Sequence, residues 1–177
     1  MTSLAAALAG HHVEVRDYHP GLDFSCFDKD LIILSGGGGE GLEINDEHRP
    51  GKLWYEDEMK FVLSTNKPVL GICMGFEIIA KAYGAKIVEK PDLVTGFNPV
   101  VTSSKAYAVL GKKQLTQFES HYWRVEDLAH TNLEVLADSV TGIEIFKHKT
   151  KPILATQFHP EKGGSLHLNQ ILAGGAI

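Results

Sequence analysis

Apolar and polar positions alternate along this chain in segments of two different periods, and the sequence of periods predicts an α/β fold. A short helix is expected over 3–9, strands over 13–17 and 31–35, and a helix over 54–64. The unbroken apolar run 68–72 has the character of a strand buried in a parallel sheet. Behind it Ile78, Ile79, Ala82 and Tyr83 recur at helical spacing until Gly84 supplies a stop. In the second half, short runs at 100–102, 106–110, 114–118, 134–138, 142–147 and 153–158 predict antiparallel strands added to that sheet, with a last helix over 165–173. The expectation is one domain, 1–177: a largely parallel central sheet flanked by helices, with additional antiparallel strands. No repeat, low-complexity tract or linker interrupts it.

Composition narrows the partners. The 177 residues are 44% hydrophobic, enough for one core, and the net charge of −5 leaves no electrostatic footprint for nucleic acid. The opening ten residues lack a basic leader region and are too short to span a bilayer, so no membrane partner is expected. Two cysteines, Cys26 and Cys73, suit a reducing, cytoplasmic compartment and make no metal-ligand cluster. No metal or organic cofactor is implied. Glu56, Asp57 and Glu58 fall in the first turn of a predicted helix, where they complement its dipole. The lysine-rich segment 147–151 reads as a solvated turn between strands.

The chemistry concentrates at three places. In Gly71-Ile72-Cys73-Met74-Gly75 a buried strand turns sharply into a helix with a cysteine at the apex. Glycines on either side remove Cβ atoms that would collide at so tight a turn. The helix N-terminus favours an anion there, which suits a nucleophilic thiol. The alternative is a small buried hydrophobe, the ordinary fate of an intracellular cysteine.

A base is available at the other end of the chain. The run 153–158 delivers His159-Pro160-Glu161 at its edge, and the proline stiffens the segment so that imidazole and carboxylate project together. An imidazole that accepts the thiol proton makes the attacking thiolate, and a carboxylate selects the tautomer.

After the strand at 31–35 come Gly36, Gly37, Gly38 and Gly39, with Glu40 and Gly41 behind them. Such a run lets backbone N–H groups approach a developing negative charge. Gly36, Gly38 and Gly41 also satisfy a dinucleotide-binding pattern, but that requires a helix directly behind them. Residues 42–52 are polar, contain Pro50 and Gly51, and lack helical spacing. A flexible surface turn is the third reading.

Taken in order, Leu34 to Glu40, Gly71 to Glu77 and Gln157 to Glu161 resemble the class I (triad-type) glutamine amidotransferases, and the resemblance covers most of the chain. It implies a flavodoxin-like sheet and a cysteine-nucleophile amidohydrolase acting on L-glutamine. In that reading Cys73 attacks the side-chain amide, His159 is general base and acid, and Glu161 orients it. The N–H groups of Gly37 and Met74 form the oxyanion hole, and ammonia passes to a partner synthetase subunit. Segments 118–125 and 145–152 are similar to those of the glutaminase subunit of two-chain GMP synthases, a purine-biosynthetic setting. That similarity makes Ser120, His121 and Tyr122 candidate substrate contacts, alongside Gly38 and Glu77.

Three departures from the family pattern stand out. The chain begins at the first helix where members begin with a strand, so either the sheet lacks that strand or the true start lies upstream. Gly38 replaces a common proline. Glu77 replaces a glutamine, which gives the segment a likeness to γ-glutamyl hydrolases. A γ-glutamyl hydrolase and a non-catalytic regulatory protein of the same fold are therefore the alternatives.

Overall fold

A computed structural model describes residues 3–36 and 42–173. The first helix, α1 (Ser3–Ala7), is followed by exposed irregular chain and a 3-10 turn at Phe24–Cys26. Strand β1 (Ile32–Leu34) comes next, then a small hairpin of β2 (Glu47–Arg49) and β3 (Lys52–Leu53), and helix α2 (Glu56–Ser64). Strand β4 (Val69–Ile72) leads into helix α3 (Met74–Ala82). The long strand β5 (Lys86–Thr102), helix α4 (Ser104–Leu110), and strands β6 (Gln114–Asp127), β7 (Leu133–Ser139), β8 (Gly142–His148) and β9 (Ile153–Thr156) follow, with helix α5 (Leu168–Ala173) at the end.

One seven-stranded sheet runs in the order β1-β4-β9-β8-β7-β5-β6. The β1, β4 and β9 strands are mutually parallel, and every pairing from β9 through β6 is antiparallel. The sheet is thus mixed, with its parallel strands grouped at one side. All four residues of β4 and all four of β9 are buried, as strands covered on both faces must be. Leu70, Ile72 and Leu154 face the side that also holds Leu8, Phe158, Leu168 and Ile171. Val69, Ile153 and Ala155 face Val62 of α2 and Phe76 and Ile79 of α3. The period-2 alternation of the two strands therefore divides one sheet between two apolar layers.

Two sequence expectations are corrected here. Residues 13–17 form no strand: Val15 is 73% exposed, and Glu14 forms ion pairs with Arg16 and Lys29 at the surface. Val13 and Val15 bury too little to repay ordering, and β1 remains the sheet edge. No strand precedes β1 among the described residues. Residues 106–110 belong to helix α4 and not to a strand. Ser103 caps that helix, accepting from the Ala106 N–H at 3.2 Å, and Gly111 closes it in the left-handed conformation at φ 67°. A short apolar run does not distinguish the two periods, and the caps decide.

Candidate active site

The elbow has the strain that its sequence predicts. Cys73 adopts φ 54° and ψ −109° and is the one non-glycine residue at positive φ among the described residues. That conformation persists only where the surroundings enforce it. Cys73 N–H donates to Thr156 O of β9 at 2.9 Å, while its carbonyl accepts the Glu77 N–H at 3.1 Å and starts α3. A Cβ on Gly75 would fall within 2.6 Å of the Leu34 carbonyl carbon, so the glycine lets α3 lie directly against the end of β1.

His159 emerges from the next strand over. The β4–β9 register pairs Ile72 with Thr156, so both candidate residues leave the C-terminal ends of adjacent parallel strands, which run about 4.8 Å apart. The Thr156 hydroxyl donates to Phe158 O at 3.0 Å and shapes the turn. His159 Nδ1 lies 2.8 Å from Glu161 Oε1, and the two side chains are 12% and 5% exposed. A proton on Nδ1 leaves Nε2 free to accept another. The second Glu161 oxygen is buried and has no hydrogen-bond partner.

Strand β6 touches both groups. Cys73 Sγ donates to Ser120 O at 3.7 Å, and His159 N–H donates to Phe118 O at 2.8 Å. The Phe118 ring packs edge-on to the imidazole, with Lys162 Nζ 4.9 Å above its centroid. Ser120 and Tyr122 lie on the outward face of β6, with Tyr122 46% exposed.

Electrostatics set the resting state of the thiol. Burial pushes the Cys73 pKa up to about 12, and the charge of Glu77 adds to this. The Met74 N–H against the sulfur and the Lys162 charge pull the other way, while Glu161 pushes up. The favourable helix terminus is present but is outweighed. Cys73 therefore rests as a thiol, and a base must remove its proton as it reacts.

Two of the sequence candidates are enclosed in the protein. Glu77 is 2% exposed and accepts from Gln157 Nε2 at 3.0 Å, and burial raises its pKa to about 7. His121 is 5% exposed on the inner face of β6, opposite to Ser120, with Nδ1 2.6 Å from Trp123 O and Nε2 3.3 Å from Glu119 Oε2. In β6 successive side chains point to opposite faces, so the side chains of Ser120 and His121 project to different sides of the strand. Gly37 and Gly38 lie outside the described residues. The dinucleotide reading of the glycine run loses its required helix, since residues 42–55 form turns and the β2–β3 hairpin.

Sequence reasoning passed over Gln117, Glu119, Glu144 and Gln157, all buried. A signal existed for the first two. They share the parity of Leu115 and Val125, the apolar positions of β6, which marks them as polar groups aimed inward. Glu119, His121 and Glu144 form the one group of ligand-type side chains close enough to share a cation among the described residues. That group lies beneath β6 and already contains a basic imidazole.

A family model, glutamine amidotransferase class-I, matches residues 3–177. The chain belongs to this family. It is 34% identical over 144 residues to the glutamine-hydrolyzing GMP synthase subunit of Methanococcus vannielii, covering 80% of this chain and 69% of that protein. The corresponding GMP synthase subunit from Pyrococcus abyssi is 38% identical over 110 residues, 60% of this chain and 57% of that one. The second match thus spans little more than half of its relative. A crystal structure of a glutamine amidotransferase from Methylobacillus flagellatus superposes with a TM-score of 0.67 at 18% identity, covering 97% of this chain and 68% of that one. That likeness establishes the class-I amidotransferase fold.

Proposed function

We propose that this amidotransferase chain hydrolyses L-glutamine through a Cys73 thioester and passes the ammonia to a synthetase subunit of the GMP synthase type, a cytoplasmic partnership in purine biosynthesis. One observation carries the reading. A strained cysteine at a strand-to-helix elbow stands beside a strand end that bears a paired histidine and glutamate.

In the first half-reaction the sulfur attacks the amide carbon of glutamine as His159 Nε2 takes the thiol proton. The His159–Glu161 bond holds the tautomer that leaves Nε2 open and steadies the imidazolium. The negative charge moves to the amide oxygen, which in this reading accepts from the Met74 and Gly37 N–H groups. The imidazolium then gives its proton to the departing nitrogen, the C–N bond breaks, and ammonia leaves. Water adds to the thioester as His159 accepts its proton. The C–S bond breaks, the sulfur regains a proton, and glutamate is released. Burial of the thiol matches this sequence, because no free thiolate has to exist between turnovers.

The relatives named as glutamine-hydrolyzing GMP synthase subunits support a synthetase acceptor of that type. The γ-glutamyl hydrolase alternative rests on Glu77. That carboxyl group is turned into the protein against Gln157, which removes its main support.

The test is ammonia release from glutamine, and glutamate release from a γ-glutamyl peptide, by the chain alone and with the synthetase subunit of a GMP synthase. The expected result is glutamine turnover that Cys73→Ala and His159→Ala abolish, with the γ-glutamyl peptide left intact. Turnover of neither substrate, with or without the synthetase subunit, would overturn the proposal.

A further inference from the structure

Strand β6 lies at the opposite edge of the sheet from β1, beyond β8, β7 and β5 from the strands that carry Cys73 and His159. Its carbonyls nevertheless reach both residues, so the β5–β6 ribbon must be folded back across the sheet and fastened there. One fastening is Gln117, whose side chain donates to Leu166 O and accepts from Leu166 N–H, each at 2.9 Å.

The second fastening is ionic. Glu119 and His121 point inward from β6 and meet Glu144 of β8, and one ligating atom from each lies within 4.8 Å of the others. All three are buried. The Ser139 and Thr141 hydroxyls donate to Glu144 Oε1 at 2.7 and 2.6 Å. Glu119 Oε1 and Glu144 Oε2 have no hydrogen-bond partner among the described residues. Two enclosed carboxylates this close repel, burial and the Glu119 charge raise the Glu144 pKa, and the His121 imidazole beside them is the group able to carry a balancing positive charge.

The groups that face His121 act in the same direction. Burial opposes its protonation, but the bond to Glu119, the charge of Glu144, the Trp123 carbonyl and the charge of Glu119 together raise its pKa. Glu77 from α3 is the further acid within reach, and Glu43 lies beyond it, bonded to Trp123 Nε1 at 2.8 Å. Arg124 is turned away to Glu126.

We propose that Glu119, His121 and Glu144 are positioning residues: a protonated clasp that holds the Phe118 and Ser120 carbonyls of β6 against His159 and Cys73. The inference rests on the reading of Cys73 and His159 as the reacting pair. None of the three clasp residues touches the substrate in this reading. Ser120 sits between two of them, so a loosened clasp moves the carbonyl that meets the sulfur.

Three measurements test this. In the wild-type protein labelled with ¹⁵N-histidine, His121 is expected to keep both ring nitrogens protonated at pH 7, where an ordinary histidine is mostly neutral. A neutral ring at pH 7 would overturn the clasp without any variant being made. Next, Glu119→Gln is compared with Leu133→Ala, a truncation of the β7 core, under conditions of equal loss of Tm. Exchange of the His159 amide, which donates to Phe118 O, is expected to accelerate about tenfold in Glu119→Gln beyond the Leu133→Ala control. Third, kcat for glutamine is expected to fall about tenfold or more in Glu119→Gln with KM nearly unchanged, since a small misplacement of the reacting groups is enough. Equal exchange and equal kcat in the two variants would overturn the proposal and leave the cluster a purely structural feature. A wild-type protein without glutaminase activity would defeat the proposed function, while the ring titration and amide exchange would still judge the clasp.

Discussion

Gly75 and Leu34 meet backbone to backbone: a methyl group on Gly75 would sit 2.6 Å from the carbonyl carbon of Leu34. The first turn of α3 therefore rests on the end of β1 with no room for any side chain. Gly75→Ala must push the helix off the strand. A destabilisation of about 1–3 kcal/mol is expected from overpacking at so rigid a contact. Because Cys73 begins the same helix, glutaminase activity should fall further than the loss of folded protein explains. Urea denaturation, together with turnover per folded molecule, measures both.

The strained backbone of Cys73 leads to a second expectation. In most places glycine is less stable than alanine, because it loses more freedom on folding. At φ 54° and ψ −109° the order should reverse, since both variants lose the sulfur and glycine alone is relieved of the strain. Cys73→Gly should be more stable than Cys73→Ala by roughly 1 kcal/mol. Both should be inactive, and equilibrium unfolding of the two proteins side by side decides.

Glu58 sets a pH dependence of stability. Burial on the inner side of α2 raises its pKa from 4.5 to about 7. The folded chain then binds more protons than the unfolded chain between those two values, so the stability this group permits is complete below about pH 4.5 and is lost as pH rises through 7. Each unit corresponds to about 1.4 kcal/mol, which makes the cost at pH 8 on the order of 3 kcal/mol. Glu58→Gln should stabilise the protein at pH 8 and leave it nearly unchanged at pH 4. Denaturant midpoints at the two pH values measure the difference.

Local features are the legible ones. The Cys73 elbow can be read because strand, turn and helix adjoin in sequence. The His159–Glu161 pair can be read because a proline stiffens the short segment that joins them. What escapes such a reading depends on closure across the sheet. Glu77 accepts a hydrogen bond from Gln157, eighty residues away, a partner that its sequence position does not announce. His121 and Ser120 group together because they adjoin, although adjacent residues of a strand face opposite ways. The parity of Gln117, Glu119 and His121 with Leu115 already distinguishes them, but their partner Glu144 cannot be named until β6 is known to fold over β8. The two misassigned segments, 13–17 and 106–110, fail for the same reason: a few apolar residues mean little without knowledge of what they pack against or how their ends are capped.

The imidazole and its acid travel on one short stretch of chain, whereas in the proposed clasp their alignment with the sulfur depends on a ribbon borrowed from the far rim of the sheet. Gentle heating or mild denaturant that peels back that ribbon would leave the histidine–glutamate unit whole and the elbow intact, yet separate the supports that set one against the other. In such a design catalytic competence is the more fragile property, and it can vanish while most of the tertiary structure survives.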